Sequence, residues 1–285
     1  MGNTTPDSTR GTLVDRVQPG SLPYRLAQRS RTRKPLVSGL AVGVAGYVAL
    51  TVLLVSLGLL LTKVLLDGPV GRWDRSLDRW FFLHRTLTFN AITEWGTRVG
   101  DVAAVIVVAA VAVGILALGR HWPHIAFLVG ALLIEVTTFL TTTFVIDRRR
   151  PAVPHLDPGP PTSSFPSGHT AAAIVLYVGL ALIVTSLVRS WLARAVAWLV
   201  AFAIPTFVAL SRLYRGMHHP TDVIGSVIGA LGCLAFAFLA TRTGVAVAEA
   251  NERAAMDDRG QAPAPALPPA PAPAGPARPD VEVSP

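Results

Sequence analysis

Charged residues are scarce in this sequence, since Asp, Glu, Lys and Arg make up only 15% of its 285 residues. A soluble domain carries about 25% charged residues. The apolar residues, which are 51% of the chain, also gather in long blocks instead of recurring at amphipathic spacing. This combination excludes an ordinary soluble globular protein and predicts a chain that lies in a membrane.

Cysteine is almost absent as well, because Cys233 is the single one in the chain. It lies within an apolar block, where it has no partner for a disulfide bond and no companion for a thiolate metal cluster. We interpret it as a small apolar interior residue. The first 35 residues lack an apolar core, so the sequence predicts no cleavable signal peptide and a first span that serves as an uncleaved anchor.

The charge that is present is mostly positive, with 25 Lys and Arg residues against 17 Asp and Glu residues and a formal net charge of +8. Much of the excess lies in residues 1–36, directly before the first apolar block. A basic segment in this position favours contact with anionic lipid headgroups over contact with nucleic acid. We therefore expect a polar, loosely ordered tail and no nucleic-acid partner.

Apolar blocks long enough to cross a bilayer, which takes about 20 residues, recur along the chain. The predicted spans are 37–61, 102–118, 125–146, 170–188, 191–210 and 223–240. Residues 67–100 mix aromatic and charged side chains, which suits the membrane–water interface. The predicted fold class is all-α, a six-transmembrane-helix bundle over residues 37–242 between a disordered tail at 1–36 and a Pro/Ala-rich disordered tail at 243–285.

An even number of spans places both ends of the chain on the same side of the membrane. The basic first tail indicates that this side is the cytoplasm. The first, third and fifth connections between spans then lie together on the extracytoplasmic face of a cell membrane. All the chemically notable segments of the sequence belong to that face.

Two of these segments flank the connection between spans three and four. Residues 147–151 read Asp-Arg-Arg-Arg-Pro, and Arg150 presents a planar cation suited to phosphate oxygens. Residues 166–169 read Pro-Ser-Gly-His and open span four. Ser167 is a candidate N-cap, Gly168 lets a ligand approach the backbone, and the free N–H groups of a helix N-terminus bind anions. Each segment alone also has a structural interpretation, as a helix end at the interface.

The third segment, residues 211–222, joins spans five and six. His218 and Asp222 are four residues apart, which brings them together if the chain is helical there. The carboxylate can then hold the imidazole Nδ1–H and leave Nε2 as a nucleophile. Arg212 adds a second cation. A loop histidine beside a helix-capping aspartate is the structural alternative, which this segment alone leaves open.

Together the three segments bring His169, His218, Asp222, Arg150 and Arg212 to one face of the bundle. Their pattern resembles the type-2 phosphatidic acid phosphatase and vanadium haloperoxidase superfamily, whose motifs are Lys-x6-Arg-Pro, Pro-Ser-Gly-His and Ser-Arg-x5-His-x3-Asp. The second and third motifs match residue for residue within 166–169 and 211–222. The resemblance covers residues 37–240 and leaves the tails outside.

The first motif departs from the family pattern. Its Arg-Pro pair is present at 150–151, but Thr143 occupies the position of the family's lysine, which helps to bind phosphate. A threonine offers a neutral hydrogen bond in place of that charge. Thr143, Asp147 and Arg150 would share one helical face by their spacing of four and three residues. We hypothesise that Arg148 or Arg149 supplies the missing charge from the loop.

The resemblance implies a phosphatase mechanism without a metal or another cofactor. His218 attacks phosphorus and forms a phosphohistidine, Asp222 orients His218, and His169 protonates the departing oxygen and later activates water. The resemblance implies that the phosphate oxygens are held by Arg150, Arg212, Ser167 and Gly168.

A site at the membrane surface implies a lipid phosphate as the substrate, of the phosphatidate or undecaprenyl diphosphate class, and the sequence does not select between them. A catalytically weak or inactive lipid-binding or scaffolding relative is the alternative that Thr143 leaves open. The haloperoxidases of the superfamily are typically soluble, which the six predicted spans argue against. A transporter would need polar residues or broken helices near the midplane, and only Glu135 qualifies.

Overall fold

A computed structural model describes residues 17–30, 32–159 and 162–260 of the chain, with residues 257–260 as backbone only. Within these ranges all regular structure is helical, which confirms the all-α class. A π-helical stretch, Leu61–Leu65, continues the second helix. In chain order the α-helices are α1 (Leu22–Arg29), α2 (Pro35–Leu60), α3 (Pro69–Leu83), α4 (Leu87–Val99), α5 (Val102–Leu118), α6 (Trp122–Val145), α7 (Gly168–Leu187), α8 (Trp191–Tyr214) and α9 (Pro220–Gly260).

Among the described residues, five helices are long and apolar enough to cross a membrane: α2 with its π-helical extension, α6, α7, α8 and α9. A sixth span results if α4 and α5 cross together, since the two helices meet at 49°. The chain is therefore a multi-pass membrane protein, as the sequence predicts. The predicted second span coincides with α5, and the interfacial stretch 67–100 forms α3 and α4.

The predicted boundary between the membrane bundle and the C-terminal tail is not a boundary in the structure. Helix α9 continues without a break through residue 242 to Gly260. At 1.5 Å per residue its 41 residues are about 60 Å long, roughly twice the hydrocarbon thickness of a bilayer. Helix α1 likewise lies within the predicted N-terminal tail. The predictions of disorder for residues 1–16 and 261–285 fall outside the described residues.

The two described ends of the chain meet at one end of the bundle. The Asn251 side-chain amide donates a hydrogen bond of 2.8 Å to the Arg33 carbonyl oxygen. The Val17 N–H lies 3.4 Å from each carboxylate oxygen of Glu249. The opposite end of the bundle therefore collects the connections that contain the sequence motifs.

Local sequence signals determine where several helices begin at that opposite end. The Thr86 hydroxyl caps α4 by accepting from the Phe89 N–H at 3.2 Å, and the Asp101 carboxylate accepts from the Val102 N–H at 2.6 Å. Pro220 is the first residue of α9, a position where proline's missing N–H costs no hydrogen bond. The starts of α5 and α9 lie beside the start of α7, whereas the start of α4 lies at the end of α8, where the Thr86 N–H donates to the Tyr214 hydroxyl at 2.9 Å.

Small residues let α2 and α9 pack closely. A Cβ atom built on Gly46 of α2 would lie 2.5 Å from Cγ of Phe236 on α9. A Cβ atom on Gly229 of α9 would lie 2.9 Å from Cδ1 of Leu54 on α2. Membrane helices associate largely through close contacts of this kind, because lipid offers no hydrophobic driving force between them. Helix α9 also packs on α6 and α7, so its first turn is held from several sides.

This packing predicts opposite effects for two glycines of α2. Gly46→Ala should lower the free energy of unfolding by about 1–3 kcal/mol, because the added methyl group overlaps Phe236. Gly43→Ala should leave stability unchanged or raise it by up to about 1 kcal/mol, because nothing lies within 4 Å of the Cβ position and alanine favours helix. Thermal unfolding of both variants in one detergent checks the difference, and equal melting temperatures would contradict it.

Candidate functional site

His218 lies in the short connection between α8 and α9 and is buried, with 4% of its surface exposed. Its Nδ1 atom is 2.7 Å from the carbonyl oxygen of Ser164. A carbonyl can only accept, so Nδ1 carries the proton and Nε2 keeps its lone pair. The backbone of the preceding connection therefore fixes the tautomer in which Nε2 can act as a nucleophile.

The sequence predicts that Asp222 holds the Nδ1–H of His218, and the structure corrects this detail. The Asp222 Oδ2 atom is 3.8 Å from Nδ1, beyond hydrogen-bond distance. The reason is that His218 precedes the first residue of α9, so the four-residue helical spacing does not apply to this pair. Asp222 is nevertheless close enough to stabilise a positive charge on the imidazole.

Asp222 is fully buried and is held by a second buried charge, Arg148. The Arg148 Nη1 atom forms an ion pair with Asp222 Oδ1, and its Nη2 atom donates to Asp74 Oδ2 at 2.7 Å. The other Asp222 oxygen accepts from the His219 N–H at 2.8 Å. Asp74 belongs to α3, so this three-charge cluster ties α3, the segment after α6 and the start of α9 together.

The structure does not favour Arg148 as the substitute for the missing lysine. Both of its terminal nitrogen atoms are bound to carboxylates, and only 3% of its surface is exposed. Thr143 does not replace the lysine either, because its hydroxyl donates within α6 to the Phe139 carbonyl oxygen at 3.0 Å. The helical face predicted for Thr143, Asp147 and Arg150 is also wrong, since α6 ends at Val145.

The two other motif arginines are oriented by different neighbours. Arg150 Nη1 donates to the Met217 carbonyl oxygen at 2.7 Å, and Arg212 Nη1 donates to Asp157 Oδ2 at 2.8 Å. Within the described part of the chain, the buried Nε atoms of both arginines have no hydrogen-bond partner. Buried donors of this kind are costly unless an acceptor reaches them, which a phosphate oxygen can do.

Helix α7 begins at Gly168, as the sequence predicts, but two details of this helix start differ. The Ser167 hydroxyl does not cap the helix; it lies 3.0 Å from the Thr170 hydroxyl, and the Ser167 N–H donates to the Ser226 hydroxyl at 2.7 Å. A Cβ atom on Gly168 would lie 2.9 Å from the Phe139 ring, so packing also requires glycine there. The first N–H groups of α7 have no partner within the helix and form an anion-binding end.

His169 stands in the first turn of α7, within electrostatic range of His218 and Arg212. The end of α4 packs beside His169, since a Cβ atom built on Gly100 would lie 3.5 Å from the His169 Cβ atom. The structure thus brings together His218, Asp222, His169, Arg150, Arg212, Ser167 and Gly168, as the sequence predicts.

Several residues of this cluster belong to none of the sequence motifs, and their place in the site is not predicted from the sequence. His219, interpreted from the sequence as structural, has its Nδ1 atom 2.6 Å from Asp78 Oδ2. Burial alone would lower the pKa of His219, but the hydrogen bond with Asp78 and the nearby carboxylate charges raise it above the ordinary value. Asp74 and Asp78 are four residues apart on α3, and this acidic pair on one face of a polar helix is the signal that could have revealed them.

The remaining notable residues lie away from this cluster. Cys233 is buried in the main hydrophobic core, which agrees with its interpretation as an interior residue. Glu135 is 7% exposed and lines a small cavity with Thr138 and Ser226. Among the described residues, no group of three or more His, Cys, Asp or Glu side chains is arranged to hold a metal ion.

The family model of the PAP2 superfamily matches residues 125–244. This PAP2 segment is less than half of the 285 residues, and over it the chain is similar to that superfamily. The PAP2 segment includes α7, α8 and every motif residue of the site, whereas Asp74 and Asp78 come from outside it. The resemblance stated from the motifs is therefore confirmed.

Two proteins of Bacillus subtilis are similar to this chain. Undecaprenyl-diphosphatase BcrC of strain 168 is 36% identical over 117 residues, which cover 40% of this chain and 53% of that protein. The chain thus spans about half the length of this curated relative. The crystal structure of a transmembrane PAP2-type phosphatidylglycerolphosphate phosphatase superimposes with a TM-score of 0.54 and 23% identity, over 73% of this chain and 96% of that one. The similarity to this crystal structure supports the fold.

A third protein, Aquifex aeolicus LpxE, superimposes with a TM-score of 0.44 and 23% identity, over 56% of this chain and 92% of that chain.

The three-charge cluster predicts different consequences for two adjacent arginines. Arg148→Gln should lower the free energy of unfolding by about 3–5 kcal/mol, because it leaves the buried carboxylates of Asp74 and Asp222 without their cation. Arg149→Gln removes the same charge from an exposed neighbour and should change it by less than about 0.5 kcal/mol. Thermal unfolding in detergent compares the two, and similar melting temperatures would show that the cluster does not stabilise the fold.

Proposed function

We propose that this chain is a membrane phosphatase that hydrolyses a phosphate monoester or diphosphate of a lipid without a metal ion. The observation that carries the proposal is the arrangement around His218, whose protonated Nδ1 leaves Nε2 free as a nucleophile. Two arginines with unpartnered buried Nε atoms and the N-terminus of α7 lie around it. A tetrahedral anion with one electrophilic centre and several negative oxygens fits this combination.

The reaction proceeds in two steps at this site. The His218 Nε2 lone pair forms a bond to phosphorus while the bond from phosphorus to the leaving oxygen breaks, and His169 gives that oxygen a proton. Asp222 stabilises the positive charge that develops on His218. In the second step His169 takes a proton from water, the water oxygen bonds to phosphorus, and the phosphohistidine bond breaks to release phosphate. Arg150, Arg212 and the first N–H groups of α7 hold the other oxygens.

The substrate class follows from where the site lies. The site forms at the end of the membrane helices, so an amphiphile can present its headgroup there while its chains stay in the bilayer. The name of the Bacillus subtilis relative, an undecaprenyl-diphosphatase, supports a phosphorylated lipid. Phosphatidate and undecaprenyl diphosphate represent the two headgroup types that the arrangement admits.

We place the site on the extracytoplasmic face of a cell membrane and the termini in the cytoplasm. The basic N-terminal segment supports this orientation through the preference of basic residues for the cytoplasmic side. Many arginines also occur at the site end, but Arg148, Arg150, Arg212 and Arg215 are bound within the protein there. Their number therefore carries little weight in setting orientation.

The proposal predicts phosphate release that depends on His218 and does not depend on a divalent metal. The purified protein in detergent should release phosphate from phosphatidate or from a prenyl diphosphate in the presence of EDTA. Vanadate should inhibit the reaction as a phosphate analogue, and His218→Ala should abolish it. His84→Ala, which changes an exposed histidine of α3's C-terminal end, is the matched control and should keep activity.

Two outcomes would contradict this proposal in different ways. Loss of activity with EDTA would contradict metal independence but would still agree with a phosphatase. No release from any lipid phosphate, together with retained lipid binding, would favour the scaffolding alternative.

The environment of His218 also predicts the acid limb of the pH profile. Burial lowers the pKa of His218 below its ordinary value of 6.5, and the nearby negative charge of Asp222 offsets this effect only in part. A lowered pKa keeps the imidazole neutral and nucleophilic to lower pH. The kcat/KM value, which reports the free enzyme, should therefore fall only below pH 6.5 on the acid side. A midpoint above that pH would mean that Asp222 dominates over burial.

A further inference from the structure

A carboxylate from the connection between α6 and α7 lies against one of the two phosphate-site arginines. Asp157 Oδ2 accepts from Arg212 Nη1 at 2.8 Å, and Asp157 Oδ1 accepts from Arg215 Nε at 2.8 Å. The Thr97 hydroxyl accepts from Arg212 Nη1 at 3.1 Å and donates to Asp157 Oδ2 at 3.4 Å. Arg212 can therefore bind Asp157 through Nη1 and an anion through Nε at the same time.

The backbone around Asp157 is fixed, so this carboxylate does not depend on a freely moving side chain. The Leu156 N–H donates to the Arg215 carbonyl oxygen at 3.1 Å, and Arg215 Nη2 donates to the Leu156 carbonyl oxygen at 3.2 Å. Arg85 Nη1 donates to the Pro154 carbonyl oxygen at 2.6 Å. These contacts hold the connection over α8 and keep Asp157 at Arg212.

Asp157 lies on the side of the site where His169 stands. The last turn of α4 contacts both residues, because Thr97 bonds to Asp157 and Gly100 packs beside His169. The Gly100 N–H donates to the Thr97 carbonyl oxygen at 3.1 Å, so these two contacts come from one turn of backbone. The charge of Asp157 is also within electrostatic range of His169.

The carboxylate of Asp157 is ionised at neutral pH. Burial on its own would raise the pKa of Asp157, but the hydrogen bond from Arg215 and the charges of Arg212 and Arg215 hold it below the ordinary value. Asp157 thus places a fixed negative charge against Arg212 and within electrostatic range of His169, the group that protonates the departing oxygen in the proposed reaction.

We propose that Asp157 is a specificity-determining residue, which makes this site discriminate against lipid diphosphates in favour of lipid phosphate monoesters. The inference rests on the proposed function, because it assigns the leaving group to the His169 side. It concerns the substrate class of that same site.

The chemistry of the two leaving groups explains the discrimination. With a monoester, the bond from phosphorus to the ester oxygen breaks, the oxygen takes a proton from His169, and a neutral alcohol departs. With a diphosphate, the bond to the bridging oxygen breaks, that oxygen takes the proton from His169, and the lipid monophosphate that departs still carries about one negative charge on its other oxygens. Asp157 repels this remaining charge, which the monoester lacks, so kcat/KM is lowered for the diphosphate and not for the monoester.

The test compares one lipid chain with two headgroups. Initial rates of phosphate release are measured for farnesyl monophosphate and farnesyl diphosphate, in detergent with EDTA, for the unaltered chain and for Asp157→Asn. The amide keeps the size of the side chain and one acceptor oxygen. We expect the ratio of kcat/KM for the diphosphate to that for the monophosphate to rise by on the order of tenfold in Asp157→Asn, because the repulsive charge is gone.

Two further variants isolate the charge of Asp157. Asp157→Glu keeps the charge and should keep a ratio near that of the unaltered chain. Asp67→Asn removes an exposed carboxylate at the same end of the bundle and should leave both rates unchanged. The ratio does not depend on how much of each preparation is correctly folded, since both substrates meet the same molecules.

An unchanged or lower ratio in Asp157→Asn would overturn the inference while leaving the proposed function intact. A ratio that rises equally in Asp157→Glu would also overturn it, because the effect would then come from shape and not from charge. If the unaltered chain releases phosphate from neither substrate nor from phosphatidate, the proposed function itself fails, and the role of Asp157 fails with it.

Discussion

The arrangement of the site depends on one buried ionic contact, in which Arg148 lies between Asp74 and Asp222. Removing three charges from water is expensive, and the cost is offset only while all three stay together with good geometry. The contact therefore makes the positions of α3, the segment after α6 and the start of α9 mutually dependent. His218 and His219 stand at this junction, one turned to the Ser164 carbonyl oxygen and the other to Asp78.

At the end of the bundle that contains the site, the charged side chains are largely paired with opposite charges within the protein. Arg148 is bound by two carboxylates, and Asp157 binds both Arg212 and Arg215. The Thr143 hydroxyl is turned back onto its own helix, so it brings no charge to the site. Among the described residues, Arg150 and Arg212 each keep a buried Nε donor without a hydrogen-bond partner, as does Arg148, whose terminal nitrogen atoms are bound by Asp74 and Asp222.

The sequence predicts most of the fold, because length and hydropathy determine which segments can cross a bilayer. It also predicts the motif residues, because the patterns at 150–151, 166–169 and 211–222 can be recognised in the sequence itself. Asp74 and Asp157 are not predicted, because their roles depend on pairing with arginines distant in sequence. The contact of His218 with Ser164 is missed for a related reason, since a backbone carbonyl has no sequence signature. The extension of α9 is missed because residues 243–260 are too polar to be recognised as part of a membrane span.

Helix α9 has a mechanical consequence. A single unbroken helix carries Asp222 in its first turn and, at its other end, the residues that contact the N-terminal segment through Glu249 and Asn251. A helix transmits axial rotation and tilt along its length, because each backbone hydrogen bond constrains the next turn. The N-terminal segment at one end of the bundle and the buried Asp222 carboxylate at the other are thus joined by one continuous helix, and a rotation of that helix about its axis moves both contacts.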